Sequence, residues 1–266
     1  MLFALLALAC RPAAPDVIEV PMALEFHDEI PRNVLMISID TLRKDYVGRY
    51  NPGLDTTPFI DGLMADGLTL DYHRSCSNWT YASVLCVQAG MSDVEAGFIP
   101  TTGEHAALYV PDELLLSGEV MRDHGYQTAL VATNSWFSPD SNTSQGFEHV
   151  RYDWGGKAEW TAESALDFFD EQEIDPDAPW YVHVHFMDPH IPYTPPEEYR
   201  GGLKGLDELA YDLDVKANYW DLEEDWETLD EDTRALALQH LDVRYRGEMK
   251  FVDDQLGALL TGLEDR

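Results

Sequence analysis

The stretch NVLMISID, residues 33–40, decides the fold of this chain. Its side chains are almost all apolar, and the run ends in the carboxylate of Asp40. A strand that is buried on both faces has this pattern, and such strands are typical of parallel sheets covered by helices. The stretch therefore predicts the first strand of a parallel sheet, with Asp40 at its carboxyl end.

Further along the chain, strand patterns alternate with helix patterns. Strands are predicted at LTLDYHRS (68–75), YQTALVATN (126–134) and WYVHVHFMDPH (180–190), and helices at 56–67, from about 80, at 112–125, at 158–172 and at about 233–263. Thr57 precedes Pro58 and is the predicted cap of the first helix. The alternation predicts an α/β fold with a largely parallel central sheet flanked by helices.

Three candidate functional positions follow predicted strands. In parallel sheets, binding sites lie at the carboxyl ends of the strands, where Asp40, Asn134 and the Asp188–His190 turn fall in this sequence. A carboxylate such as Asp40 can bind a hard cation. The alternative is that Asp40 is only a turn residue that leads the chain out of the sheet.

Thr80, in NWTYASVLCVQAGM (78–91), stands where a helix is predicted to begin. A threonine hydroxyl there can cap the helix by accepting a hydrogen bond from a backbone N–H group. It can also be a nucleophile, because the positive end of a helix favours negative charge. The stretch alone leaves both roles open.

The densest group of polar residues is HVHFMDPHIPYTPP, 183–196. His183 and His185 alternate along a strand and so share one face. With Asp188 and His190 they are similar to the H-x-H-x-D-H zinc signature of some hydrolases, although the spacing differs by one residue and Pro189 intervenes. The alternative is that the two strand histidines are hydrogen-bonded structural residues. His190 lies beyond the strand in a turn, where binding residues concentrate.

Composition limits the partners of this protein. The formal net charge is −33, and 45% of the 266 residues are hydrophobic. That content is enough for one sizeable core, or for a core with a large insertion. A strongly acidic surface repels phosphate backbones, so nucleic acid is not an expected partner. Residues 200–232 are acidic and aromatic with weak periodicity, which predicts an insertion or lid.

The N-terminus indicates export. Residues 1–10, MLFALLALAC, have the length of a signal-peptide apolar region and end like a bacterial lipoprotein cleavage site with a lipid anchor at Cys10. Residues 11–32 are a predicted linker, and 33–266 are the folded domain. The expected location is periplasmic, or membrane-anchored as a lipoprotein. In that compartment Cys76 and Cys86 can pair, although two buried thiols are an equal alternative.

Together these segments resemble the sulfatase family of the alkaline phosphatase superfamily, from Asn33 to the last residue. The segments that carry the resemblance, in the order of the family, are NVLMISIDTLRKDYVGRY, TTPFIDGLMADGLTLDYHRSCSNWTYASVLCVQAGM, LSGEVMRDHGYQTALVATN, SQGFEHV, HFMDPHIPYTPP and YRGEMKFVDDQLGALL. The resemblance implies a sulfatase-like hydrolase that cleaves sulfate esters.

The resemblance also implies site residues. Asp40 matches a ligand of a divalent cation, with Ca²⁺ expected first and Mg²⁺ or Mn²⁺ as alternatives. Thr80 matches the nucleophile, and His190 matches a histidine that contacts the substrate or its leaving group. Arg43 and Asn134 are further candidates for binding the anionic ester.

The sequence departs from the family in two places. TYASV (80–84) replaces the C-x-P-S-R motif, so no formylglycine is expected at Thr80. A threonine nucleophile occurs in related phospho-group transferases, so a phosphoester hydrolase or transferase is one alternative function, and an inactive surface protein is another. In the family, the helix that matches 245–260 leads to a strand with further metal ligands, so the resemblance predicts a domain truncated at its C-terminus.

Overall fold

A four-stranded sheet forms the centre of the fold. The computed structural model describes residues 33–92, 95, 109–171, 175 and 177–266. The strands are β1 (Val34–Ile39), β2 (Gln127–Ala132), β3 (His149–Tyr152) and β4 (Trp180–Phe186), in the order β1-β4-β2-β3. All three neighbouring pairs are parallel, which confirms the predicted fold class. The predicted signal peptide and linker, 1–10 and 11–32, lie outside the described residues.

The described residues form six α-helices. They are α1 (Pro58–Asp66), α2 (Thr80–Ala89), α3 (Ser117–Asp123), α4 (Ala158–Glu171), α5 (Ala217–Asp225) and α6 (Glu231–Glu264). Short 3-10 helical turns lie at Lys44–Tyr46, Ser135–Phe137, Pro139–Ser141, Glu197–Tyr199 and Gly201–Leu203. Within the part of the chain that the structure describes, no helix combines the length and the apolar character needed to span a bilayer.

The two faces of the sheet pack against different helices. On one face, Val182, Val184 and Phe186 of β4 join a core with residues of α4 and α6. On the other face, Tyr181 of β4 and Val84 of α2 belong to a second core. Because side chains alternate along a strand, His183 and His185 lie on this second face, with α2. The site described below is on the α2 side of the sheet.

Two segments differ from their predicted structures, namely residues 68–75 and residues 112–116. The segment 68–75 forms no strand, and its Leu68, Leu70 and Tyr72 are exposed. The helix predicted from residue 112 begins only at Ser117, where the Glu119 carboxylate accepts from the backbone N–H of Leu116 at 3.0 Å. Periodicity could not locate the start of this helix, because the contact between Glu119 and Leu116 sets it.

The N-terminus of α1 is capped by a residue distant in sequence. Thr57 occupies the cap position but makes no cap hydrogen bond, and its hydroxyl accepts from the Gly48 N–H instead. The carboxylate of Asp253 in α6 accepts from the N–H groups of Phe59 and Ile60, both at 2.8 Å. Tertiary structure therefore supplies the cap that the sequence assigned to Thr57.

The predicted insertion at 200–232 contains one short 3-10 turn and α5. Its Leu213, Tyr219 and Leu222 form a small core with Tyr193. The backbone N–H of Tyr193 donates to the Tyr219 hydroxyl at 2.8 Å. This segment therefore borders the turn that follows β4, and its role as a lid stays a prediction.

Candidate active site

The order of the strands brings the carboxyl ends of β1, β2 and β4 together. Asp40 directly follows β1, Asn134 follows β2, and Met187 follows β4, which lies between them in the sheet. The N–H of Asp40 donates to the carbonyl of Phe186 at 2.9 Å, which continues the β1–β4 ladder by one residue. The carboxylate of Asp40 is thereby fixed at the carboxyl edge of the sheet.

Asp40 is the centre of the cluster and is 8% exposed. Its Oδ2 accepts from Asn134 Nδ2 at 2.7 Å and from Thr80 Oγ1 at 3.2 Å. His185 Nε2 lies 3.7 Å from the same oxygen. Burial by itself raises the pKa of the Asp40 carboxyl, but the nearby His185, His190 and Thr80 side chains outweigh burial and lower the pKa below its usual value. Asp40 is therefore ionised at neutral pH.

Thr80 is the first residue of α2, and Trp79 holds the cap position. The Thr80 hydroxyl donates to Asp40, at 3.2 Å and 3.4 Å from the two carboxylate oxygens. Of the two roles that the sequence left open, the structure does not support the helix cap, because the Thr80 hydroxyl is directed to the neighbouring strand end. What the sequence described correctly is the place of Thr80 at the positive end of a helix.

A disulfide and a serine fix the loop before Thr80. Cys76 and Cys86 form a disulfide with a Cα–Cα distance of 6.4 Å, so the structure decides between the paired and free alternatives. Ser83 Oγ donates to the carbonyl of Ser77 at 2.9 Å. Both contacts tie the loop to α2, which holds the hydroxyl of Thr80 near Asp40.

Both the oxygen and the nitrogen of the Asn134 amide make hydrogen bonds. Its Oδ1 accepts from the backbone N–H of Trp136 at 3.0 Å, which directs Nδ2 towards Asp40. The same Nδ2 lies 3.2 Å from Met187 Sδ. Asn134 therefore orients Asp40, and its predicted contact with an anionic ester stays a prediction.

Arg43 lies on the surface beside the cluster. Its guanidinium pairs with Asp45 at 2.7 Å, stacks over the Tyr46 ring at 4.7 Å, and its side chain is 58% exposed. Among the described residues, Arg43 has no hydrogen bond or ion pair with Asp40, Thr80 or Asn134. A role for Arg43 in anion binding stays a prediction that requires its side chain to change partners.

His190 lies in the turn after β4 and is partly buried. Its Nδ1 is 2.7 Å from the carbonyl of Ile191. A carbonyl can only accept, so Nδ1 carries the proton and the Nε2 of the neutral ring is an acceptor. When it is protonated, His190 lowers the pKa of Asp40, which places this histidine in the electrostatic surroundings of the cluster.

The strand histidines are hydrogen-bonded inside the sheet. Ser38 Oγ lies 2.9 Å from His183 Nε2 and 2.8 Å from His185 Nδ1. Asp188 points elsewhere, because it pairs with Lys157 at 3.0 Å and accepts from the N–H of Ala158 at 2.7 Å. The structure supports the interpretation of His183 and His185 as hydrogen-bonded residues rather than zinc ligands. Alternation in the sequence predicted their common face but not Ser38.

A second buried polar group lies behind the His190 turn. Glu248 of α6 is fully buried and 3.5 Å from Lys157, which also pairs with Asp188. Burial, and then the nearby charge of Asp188, raises the pKa of Glu248 to about 8. No pattern in the sequence distinguishes this glutamate from the exposed acidic residues of α6.

The cluster contains part of the ligand set that a hard cation needs. Within the described ranges, no group of three or more His, Cys, Asp or Glu side chains is arranged to hold a metal ion. The Asp40 carboxylate and the Thr80 hydroxyl are oxygen donors of the type that Ca²⁺ and Mg²⁺ prefer, but Ca²⁺ takes about 6–8 of them. These two residues fit such a cation as part of a larger site.

Comparisons with known proteins agree with this geometry. The sequence profile described as "Sulfatase" matches residues 32–266, whereas a search of curated protein sequences finds no match. Solved structures with similar folds include yidJ of Bacteroides fragilis, named as a candidate sulfatase (TM-score 0.63, 17% identity, covering 91% of this chain and 61% of that one). Another is BT4656 in complex with its substrate D-glucosamine-2-N,6-O-disulfate (0.60, 16%, 88% and 62%).

A third is the phosphonate monoester hydrolase of Agrobacterium radiobacter (TM-score 0.61, 16% identity, covering 88% of this chain and 60% of that one). The chain therefore spans about three fifths of the length of these structures. At these identities the structural likeness shows the fold, and the profile match covers most of the chain. The chain belongs to the sulfatase family.

Proposed function

We propose that this protein is a hydrolase of sulfate esters in which Thr80 is the nucleophile. The observation that carries the proposal is the contact of the Thr80 hydroxyl with the Asp40 carboxylate, at the N-terminus of α2. An ionised carboxylate that accepts the hydroxyl proton leaves an oxygen lone pair free for attack. The positive end of the α2 dipole favours the negative charge of the ester.

The proposed reaction displaces the alcohol from the ester. Thr80 Oγ forms a bond to the sulfur atom, the bond from sulfur to the alcohol oxygen breaks, and the hydroxyl proton passes to Asp40. His190, in its protonated form, donates a proton to the departing oxygen. Hydrolysis of the resulting Thr80 ester by water restores the hydroxyl. No formylglycine takes part, because residue 80 is a threonine.

A divalent cation is part of the proposed function. Asp40 and Thr80 would hold it, and Ca²⁺ is proposed before Mg²⁺ or Mn²⁺. When bound, such a cation neutralises negative charge that develops on the ester. Because these two residues are only part of a ligand set, we expect weak binding, and calorimetric titration of residues 1–266 with Ca²⁺ measures it. Sub-micromolar affinity that Asp40→Ala removes would contradict this expectation.

The discriminating experiment compares wild type with two Thr80 variants on three esters. Wild type, Thr80→Ala and Thr80→Ser are assayed with aryl sulfate, aryl phosphate and aryl phosphonate monoesters at equal folded concentration. Thr80→Ala should abolish turnover, and Thr80→Ser should keep part of it because the hydroxyl remains. Equal rates for wild type and Thr80→Ala would exclude Thr80 as nucleophile. Arg43→Ala should raise KM if Arg43 binds the anion.

A phosphoester hydrolase or transferase is the second candidate function. It is favoured by the threonine at position 80 and by the likeness to a phosphonate monoester hydrolase. Faster turnover of the phosphate or phosphonate ester than of the sulfate would select it. If none of the three esters is cleaved, the remaining interpretation is an inactive sulfatase-like surface protein.

Export belongs to the same proposal. We expect the mature chain to begin at a lipidated Cys10 and to lie in the periplasm or on a membrane, with an anionic ester rather than nucleic acid as its partner. Mass spectrometry of membrane fractions from a bacterial host would detect the lipidated N-terminus. An intact Met1 in the cytoplasm would contradict export.

A further inference from the structure

Ser38 links two buried histidines of the neighbouring strand. The β1–β4 register pairs Ser38 with His185, and the Ser38 hydroxyl also reaches His183. The two histidines are 1% and 3% exposed, so water is not available to replace a missing partner. A hydroxyl has a single proton. Ser38 therefore donates to one of the two rings and accepts from the other.

Gln88 of α2 sets the direction of these hydrogen bonds. Its Oε1 accepts from the Ser117 hydroxyl at 2.7 Å, and its Nε2 lies 3.2 Å from His183 Nδ1. An amide N–H requires an acceptor, so His183 Nδ1 is bare. Burial, with a smaller effect of the charge of His185, lowers the pKa of His183 to about 3, so this ring is neutral and its proton is on Nε2.

The remaining protons follow from this assignment. His183 Nε2–H donates to Ser38 Oγ, and the Ser38 hydroxyl then donates to His185 Nδ1. A neutral His185 consequently carries its proton on Nε2, the atom that lies 3.7 Å from Asp40 Oδ2. The position of Asp40 agrees with a proton on His185 Nε2, because a carboxylate oxygen would repel the lone pair of an unprotonated nitrogen.

His185 Nε2 faces the Asp40 carboxylate but is too far from it for a hydrogen bond. It is buried and has no hydrogen-bond partner among the described residues, since 3.7 Å exceeds the usual length of such a bond. Asp40 Oδ2 already accepts from Asn134 and Thr80. An additional N–H on the same side restrains rotation of the carboxylate.

We propose that Gln88, His183 and Ser38 form a directed hydrogen-bond relay that holds His185 in the Nε2–H tautomer. His185 is then a positioning residue, which keeps the Asp40 carboxylate in the orientation that the Thr80 hydroxyl needs. The relay deepens the proposed function and rests on it, because its benefit is the placement of Thr80. Its tautomers, however, are properties of the protein without substrate.

Nitrogen-15 NMR of the purified chain, with labelled histidines and a chelator present, tests the relay directly. Protonated and bare ring nitrogens have widely separated shifts, so the tautomer of each ring is read without an assay. We expect bare Nδ1 and protonated Nε2 in both His183 and His185 when the rings are neutral. A protonated Nδ1 in either ring overturns the relay.

Gln88→Met tests whether the relay, and not Asp40 alone, holds the tautomer. Methionine has a similar length and no hydrogen-bonding amide. We expect both rings to show shifts averaged between two tautomers, and an unchanged His185 overturns the relay. Gln127→Met is the matched control, because that amide bonds to the Asp175 backbone at the opposite end of β2. If Gln88→Met does not fold, Ser117→Ala removes the donor that orients the Gln88 amide and should act in the same direction.

Turnover supplies the second measurement. In the ester assay, Gln88→Met should lower kcat about tenfold and leave KM nearly unchanged, as is typical of residues that orient a primary ligand. His185→Gln keeps an N–H donor and should retain more kcat than His185→Phe. The reverse order overturns the positioning role, since phenylalanine better preserves the shape of the ring. If wild type cleaves no ester, the proposed function fails, and the NMR result still decides the relay.

Discussion

The two faces of strand β4 are held to their neighbours by different forces. Val182, Val184 and Phe186 are fully buried against α4 and α6, where contacts are apolar. His183 and His185 are equally buried on the other face, but each bonds to Ser38, and His183 also bonds to Gln88. The first face is held by apolar packing, and the second adds directed hydrogen bonds to its own apolar core.

The difference shows which changes each face can accept. An apolar core tolerates substitutions that conserve volume, because dispersion and hydrophobic contacts have little direction. A buried polar network requires every donor and acceptor to be satisfied, and it specifies a single arrangement. The functional cluster grows from the polar face, which explains why Asp40 and Thr80 are placed by specific hydrogen bonds.

The largest expected effect on stability is on the apolar face. Phe186→Ala should lower the free energy of unfolding by about 3–5 kcal/mol, because it removes a fully buried ring and leaves a cavity. Denaturant unfolding measures the loss. Leu238→Ala, at an exposed position of α6, is the control and should change little. A loss below about 1 kcal/mol would contradict dense packing on this face.

Glu248 is an exception to the contrast between the two faces, because it is a buried carboxyl in α6, the helix that covers the apolar face. Its pKa is raised from 4.5 to about 8, so between these pH values the native state holds a proton that the unfolded state has released. The unfolding free energy of wild type should therefore fall as pH rises through this window, by an amount on the order of a few kcal/mol.

Glu248→Gln should remove that fall, because glutamine does not titrate. Thermal unfolding of both proteins at several pH values between 5 and 9 provides the comparison, with Glu231→Gln in the first turn of α6 as the control. Glu248→Gln should be more stable than wild type at the alkaline end. Parallel pH profiles for wild type and Glu248→Gln would show that Glu248 does not retain its proton.

The disulfide sharpens the comparison, because it holds α2 on the polar side by a covalent bond. Replacing both Cys76 and Cys86 by serine should cost about 2–3 kcal/mol of unfolding free energy, from the closure entropy of a short loop. Guanidinium unfolding with and without reductant measures the loss. Reductant should weaken the wild type to the level of the double variant and leave the double variant unaffected.

The smallest expected effect is at Ser38 on the polar face. Ser38→Ala should cost about 1–3 kcal/mol, because one nitrogen of each buried histidine loses its partner. Ser164→Ala, a buried serine of α4 on the apolar side, is the matched control and should cost less. Equal losses would indicate that the hydroxyl of Ser38 acts only by filling space.

Local patterns predicted the strands β1, β2 and β4, the long helices and the places of the polar residues, but they missed the four-residue strand β3. The apolar run NVLMISID correctly predicted a strand, but β1 is an edge strand of the described sheet, and its side chains are half-buried or, at Val34, exposed. Helix α6 was predicted within two residues at each end. The segment 68–75 was predicted wrongly, because its apolar residues lie on the surface. The Thr57 cap failed because Asp253, far away in sequence, supplies the acceptor.

The sequence by itself determined the α/β class, the family, and the positions of Asp40, Thr80, Asn134 and His190 at element ends, because these properties follow from periodicity and order along the chain. Only the tertiary structure decided the partners. The strand order β1-β4-β2 brings Asp40 and Asn134 together, and the β1–β4 register places Ser38 between His183 and His185. The direction of each hydrogen bond depends on atoms that lie close in space but far apart in sequence, and periodicity carries no record of such pairs.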